Sequence, residues 1–379
     1  MILPAVIGLL LVVAILWEAF ETVVLPRRVR RRLRFTVLFY RGSWYSWRTV
    51  ARMIPQKGRR EAFLGIYGPL SILFLLVFWA SLIVLGFGLI FLSASGRDAS
   101  TMHFSTCLYL SGTTFVTLGL GDVVPQSPIE RFLVVIECGI GLGFLALVLS
   151  YLPVIYQAFS RREVNIVLLD ARAGSPPTAA ELLRRHAGAR GLDALQQLLR
   201  DWERSAADIL ESHISYPLVS YFRSQHANES WLAALAAILD TCSLIVSGVD
   251  DASCTRQARL TFAMCRHTIV DLSQVFNAAP RRTAHDRLTP ADLERLRKVL
   301  TEAGFSLLDT PASNAKLAKM REMYEPYLQA LARFLAMDLP PWILAKEVTD
   351  NWRTSAWGRI RGFGEPDPPA EPSLDDHAD

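Results

Sequence analysis

The chain has 379 residues, 51% of them hydrophobic and 20% charged, with a formal net charge of +4, long enough for a membrane module plus a second domain. The positive mean hydropathy of +0.25 comes from the first 160 residues, and that asymmetry separates two domains. The five cysteines (Cys107, Cys138, Cys242, Cys254 and Cys265) show no paired spacing, which excludes a small secreted domain stapled by disulfides.

Residues 1–25 open with about 17 apolar positions, roughly 25 Å of helix and nearly a bilayer crossing. A signal peptide is excluded because no basic residue precedes the run and no small-residue cleavage site follows it. Arg27, Arg28, Arg30, Arg31, Arg32 and Arg34 follow at once, so the excess of positive charge places the N-terminus outside and residue 27 in the cytoplasm. Glu18 and Glu21 lie one helical turn apart near the inner end, positioned to pair with those arginines or to bind a partner helix. Residues 26–66 carry twelve basic residues and one carboxylate, Glu61, with Phe35, Phe39, Tyr40, Trp44, Tyr45 and Trp47 interleaved. A basic, aromatic segment tethered to membrane helices is expected to lie on an anionic inner leaflet, each cation contributing about 1 kcal/mol; no nucleic acid is expected. Residues 68–93 are a second uncharged run long enough to span.

The centre of the chain is Thr117-Leu118-Gly119-Leu120-Gly121-Asp122. Non-helical backbone at membrane depth is tolerated only where it is buried in protein or lines a watery path. Glycines at 119 and 121 permit positive φ, which turns successive carbonyls to one side. With Pro125 and the apolar helix that follows, this motif resembles the pore module of potassium channels over about 60 residues. The resemblance implies a pore helix over 104–116, a filter over 117–122 and an inner helix over 132–156, with potassium held by the carbonyls of Thr117, Leu118, Gly119 and Leu120, and Gly121 completing the turn. Leu118 stands where Val or Ile is usual and Leu120 where Tyr or Phe is usual; a GLG filter resembles the second pore of animal two-pore-domain channels. Asp122 resembles the aspartate that follows the filter and attracts cations at the outer mouth.

In the inner helix Gly139, Gly141 and Gly143 cluster, either to let helices approach or, for Gly141, as the family's gating hinge. Leu142, Leu145 and Leu149 follow at helical spacing and would line an apolar cavity, with Pro153 a bend near the inner mouth. Glu137 is the carboxylate inside this helix. It is read either as a brace that reaches the filter through the pore-helix threonines Thr113 and Thr114, or as an ordinary hydrogen bond between helices.

Residues 172–178, with Gly174, Pro176 and Pro177, read as a linker. Beyond it apolar spacing of three and four predicts helices over 179–188, 192–214, 231–247, 255–276, 289–303 and 313–337, with Thr289 capping a helix whose first turn holds Pro290. No phosphate-cradling glycine loop appears, which argues against a Rossmann-like regulatory domain. His186, His213, His226, His267 and His285 lack zinc spacing. Residues 341–361, with Trp342, Trp352 and Trp357, are expected to dock on this domain or rest on the membrane, and the acidic, proline-rich tail 362–379 is expected to be disordered.

The sequence therefore predicts an all-α membrane protein of the cell membrane: an N-terminal transmembrane helix (1–25), an interfacial segment (26–66), a tetrameric potassium-channel-like pore module (67–160) and an α-helical cytosolic domain (172–361). The expected function is potassium-selective conduction by a homotetramer, with no enzymatic activity, no cofactor beyond the permeant K+, and an unidentified cytosolic ligand left open. The alternative is a weakly selective cation pore, or a membrane-anchored sensor or scaffold with a pore-like fold.

Overall fold

The computed structural model describes residues 2–24, 35–95, 103–188, 191–226, 228–249, 251–280 and 286–346. Among them every regular element is helical. The membrane-proximal helices are α1 (Ile2–Ala19, continuing as a π-type turn over Phe20–Val24), α2 (Phe35–Arg52), α3 (Lys57–Ala94), α4 (Phe104–Phe115) and α5 (Pro128–Ala173). The rest comprises α6 (Ala179–Arg185), α7 (Gly191–Ser215), a 3₁₀ turn (Pro217–Tyr221), α8 (Trp231–Gly248), α9 (Ala252–Val275), α10 (Pro290–Glu302), α11 (Pro311–Glu322) and α12 (Glu325–Leu335).

Helices α1, α3 and α5 are long and apolar enough to cross a membrane. Without a hydrophobic drive between helices in lipid, close packing needs small residues, and α1 meets α3 in that way. A Cβ on Gly8 would stand 2.3 Å from the carbonyl oxygen of Gly86, and one on Gly86 would stand 2.6 Å from Val12 Cγ2. Around this contact Ile15, Ile72, Trp79, Ile83, Phe87 and Phe91 form the inner core of the membrane part, which α4 joins through Cys107 and Leu110.

Helix α8 is also apolar and long enough to span, yet 94% of its apolar window is buried inside the protein. A helix that is hydrophobic all round belongs in a core, and α6, α7, α9, α11 and α12 enclose it. Its one ionised side chain, Asp240, accepts from Arg287 Nη2 at 2.5 Å and from the Tyr324 hydroxyl at 2.5 Å.

Three elements differ in extent from the sequence reading. Helix α3 starts at Lys57 instead of near 68, running through the basic end of the interfacial segment and past Pro69. Helix α5 continues beyond 156, through Arg161 and Arg162, to Ala173, where Gly174 at φ 80° ends it. The helix expected over 313–337 is two helices. Pro326, which lacks an N–H, occupies the first turn of α12 and forces a new start there.

The basic, aromatic segment folds in part as α2, and its aromatic face is a seam between protein elements. Trp44 Nε1 donates to the Phe334 carbonyl at 2.8 Å, Trp47 stacks on Phe63 with centroids 4.4 Å apart, and Tyr40 stacks on Tyr221. Phe35, Leu38, Tyr45, Val50 and Met53 stay exposed on other faces. The arginines expected to pair with Glu18 and Glu21 lie outside the described residues; Glu18 accepts from Thr36 N at 3.1 Å and Glu21 from the Trp17 indole at 2.7 Å. Trp342 is fully buried in the core of the helical domain, with Arg321 over its ring, while Trp352, Trp357 and the acidic tail lie outside the described residues.

Candidate functional site

Helix α4 is held between α3 and α5, and its C-terminal end sets the turn that follows. Thr117 N donates to Thr114 O at 3.0 Å and Leu118 N to Thr113 O at 2.8 Å. These paired bonds terminate a helix with one residue in the left-handed region, and Thr117 takes that place at φ 57°. For a β-branched residue this conformation costs about 1–2 kcal/mol. Gly119 (φ 56°) and Gly121 (φ 81°) follow, so positive φ recurs at every second residue from 117 to 121. The sequence reading placed Thr117 in the filter but anticipated positive φ only at the two glycines; the geometry of Thr117 comes from the end of α4 and not from its own preference.

Within one chain this turn has almost no cover. Residues 116–122 are all exposed, Leu118 by 58% and Leu120 by 61%. Tyr109 on α4 donates its hydroxyl to Asp122 Oδ2 at 2.9 Å, fixing the residue after the turn to the helix before it.

Glu137 on α5 is fully buried beside α4, but its partner is not a threonine. Thr113 Oγ1 returns to its own helix, at Tyr109 O and Leu110 O. The contact is with Ser111 Oγ, which also lies 2.9 Å from Val84 O on α3. One hydroxyl therefore faces an oxygen on each of the two long helices. Ser111 thus joins α3, α4 and α5 at one point.

Gly141 is the second contact between α4 and α5. A Cβ there would sit 2.1 Å from Phe115 O, whereas Gly139 and Gly143 have nothing within 4 Å. Leu142, Leu145 and Leu149 are 55–65% exposed along one face of α5, and Pro153 is exposed within a helix that continues past it.

Glu130 was not singled out from the sequence, although Ser127-Pro128-Ile129-Glu130 has the S-x-x-E spacing of a capping box. Ser127 Oγ accepts from Glu130 N at 3.2 Å, and Glu130 Oε2 accepts from Ser127 N at 3.1 Å and Gln126 N at 2.7 Å. Ser95 Oγ donates to the other carboxylate oxygen at 3.0 Å. The C-terminal end of α3 and the N-terminal end of α5 are therefore tied through one buried side chain.

A short helix, an alternating turn and a second long apolar helix, all leaning on one spanning helix, make the arrangement of a pore loop. Residues 72–157 match the family model described as ion channel. This stretch is an ion-channel domain. Over 201 residues the chain is 22% identical to the uncharacterized membrane protein YdjJ of Bacillus subtilis (strain 168), an alignment covering 51% of this chain and 58% of that protein. The chain thus spans less than two thirds of that relative's length. No solved structure matches. The protein is a membrane protein, and its ion-channel domain contains α4, the turn and most of the apolar part of α5.

Below the ion-channel domain α5 enters the helical domain through Arg162, which is buried. Its guanidinium donates to Val219 O and Phe222 O at 3.0 Å each and to Glu163 Oε1 at 3.0–3.1 Å, and it lies 3.3 Å from His213 Nε2. Phe222 in turn packs on α3 at Gly68, where a Cβ would stand 2.8 Å from its ring. Burial, and then the adjacent Arg162 charge, hold His213 well below the ordinary imidazole range.

Proposed function

We propose that the protein is a potassium-selective channel in which four copies surround one axis, and the turn 117–121 supplies the filter. The observation that carries this reading is the alternation of positive φ at Thr117, Gly119 and Gly121, a backbone suited to rings of carbonyl oxygens. It occurs on a stretch that a single chain leaves exposed. Only 11% of the apolar window of α5 is buried within the chain, so lipid and neighbouring copies have its remaining surface to cover. One turn per chain closes a ring only in an oligomer, and four copies suit the potassium filter.

In this reading the carbonyls of Thr117, Leu118, Gly119 and Leu120 replace the water around K+, and Asp122 concentrates cations at the outer mouth. Leu145 and Leu149 face the axis below, and Pro153 marks the inner mouth. The N-terminus is outside, the helical domain is cytoplasmic, and the exposed apolar face of α2 rests on the anionic inner leaflet. The helical domain assembles or gates the pore.

Reconstitution tests the proposal. The extracted particle should have the mass of about four chains, and vesicles containing it should pass K+ far better than Na+. Gly119→Ala and Gly121→Ala should abolish flux, because alanine at positive φ is strained. Equal K+ and Na+ flux in the unmutated protein would leave only a weakly selective cation pore, the reading that Leu118 and Leu120 favour; a stable monomer or dimer would end both.

A further inference from the structure

A cavity of about 770 Å³ opens between α2, the first turn of α3, α12 and the stretch 337–345. Six arginines line it: Arg48 and Arg52 from α2, Arg60 from α3, Arg287 just before α10, Arg295 from α10 and Arg333 from α12. Among the described lining residues three carboxylates join them, and each has a cation of its own. Asp286 pairs with Arg321, Asp292 with Arg295 at 3.3 Å and Asp338 with Lys57 at 2.8 Å. Arg287 is occupied by Asp240 and the Pro340 carbonyl and serves the fold.

Among the described residues no carboxylate pairs with Arg48, Arg52, Arg60 or Arg333. Arg48 reaches only the carbonyls of Arg333 and Phe334, and the Nε–H groups of Arg48 and Arg295 have no protein acceptor. Among the described residues no hydrogen bond or ion pair engages the side chains of Arg52 and Arg60. Burial, and then the like charge of Arg52, press Arg48 below the usual arginine range. Gathering like charges in a cleft costs free energy unless an anion is taken up there. Most of the remaining lining, including Leu64, Ala332, Met337, Leu339 and Ile343, is apolar, with Thr289 and Gln329 as its polar members.

We propose that this cavity is a binding site for a small organic polyphosphate, an anion with two or more phosphate groups and an apolar body. Guanidinium groups match phosphate oxygens two at a time. The volume falls in the range of about 300–1,000 Å³ typical of small-molecule sites, and the excess of arginines asks for several negative charges. Such an occupant bridges the inner end of a spanning helix to the helical domain. An anionic lipid headgroup shares this chemistry and could enter from the inner leaflet beside α3.

The test reads binding by the full-length protein in detergent, so it stands or falls independently of conduction. Calorimetric titration with ATP and with tripolyphosphate should show one saturable site per chain, weakening as salt rises. Arg52→Gln with Arg60→Gln should weaken it at least tenfold, because among the described residues neither side chain holds a bond whose loss would unfold the protein. Arg259→Gln, on an exposed arginine of α9 that does not line the cavity, should leave it unchanged. In parallel, phosphatidylcholine vesicles with and without phosphatidic acid are offered as competitors. Displacement of ATP by the anionic vesicles alone, sensitive to the same double variant, identifies a lipid headgroup as the source of the phosphate. Absence of saturable binding to any of these probes, or binding that the double variant does not change, overturns the proposal.

Discussion

Glu137 makes its contact with Ser111, a residue with two oxygens within reach of its hydroxyl. An amide at 137 can still donate to Ser111 Oγ, whereas a methyl leaves Ser111 with Val84 O alone and removes the hydrogen bond between α4 and α5, at a cost of about 0.5–1.5 kcal/mol. Glu137→Gln is therefore expected to retain conduction and thermal stability, and Glu137→Ala to lose part of both. Single-channel recording with thermal unfolding decides it: two variants indistinguishable from the parent would reduce Glu137 to packing. The residue was legible in the sequence because a carboxylate in an apolar helix demands an explanation. Its partner was not, since nothing in the string distinguishes Ser111 from Thr113 or Thr114 before α4 has a rotational setting against α5.

Among helices, the seam of α4 against α5 rests on the absence of one carbon. Alanine at Gly141 would place a Cβ 2.1 Å from a backbone oxygen, and backbone cannot rotate away as a side chain can, so α4 must move. Overpacking of this kind costs about 1–3 kcal/mol. Gly141→Ala should lower the unfolding midpoint and the ion flux. Gly139→Ala and Gly143→Ala, with open space at both sites, should be neutral within the chain or stabilise the helix by up to about 1 kcal/mol. An equal effect of all three would show that the glycines act through flexibility and not through this contact. The same comparison shows what sequence patterning conveys. Apolar spacing located helices, and Thr289-Pro290 announced a start that the structure has, with Asp292 N donating to Thr289 Oγ1 at 3.1 Å. Patterning did not reveal which glycine of three is packed, because spacing alone cannot say which face meets α4. It also joined α11 to α12, where the apolar rhythm continues across a proline, and assigned the α2 aromatics to lipid when four of the six, Phe39, Tyr40, Trp44 and Trp47, pack on protein.

For the whole molecule, the ion-channel helices keep a core of their own, joined by Leu218, Val219 and Phe222, while the core of the helical domain takes in residues that flank the channel. Trp44, Leu64 and Tyr67 from the membrane-proximal helices and Ile166 and Leu169 from α5 belong to the same core as α7, α8 and α9. Arg162 and His213 sit where these parts meet, with Ser212 Oγ 3.1 Å from His213 Nδ1 and the Trp231 ring of α8 against the imidazole. An imidazole held neutral in the folded state, with an ordinary value of about 6.5 when unfolded, binds fewer protons folded than unfolded. Stability should then be full above about pH 6.5 and fall as the pH drops below it, a slope that His213→Gln should flatten in thermal unfolding measured from pH 7.5 to 5. A parent curve flat over that interval would contradict the assignment. Helix α5 has a further consequence, because its 46 residues make a rod of roughly 69 Å, more than twice the thickness of a hydrocarbon core of about 30 Å. No loop interrupts it to absorb motion, so a tilt of about 5° at one end carries the other by about 6 Å, by the same rise per residue. Work done at either end is felt at the other, and such linkage is symmetric. A ligand of the helical domain that favoured one setting of this rod would, in turn, be held more tightly by that setting.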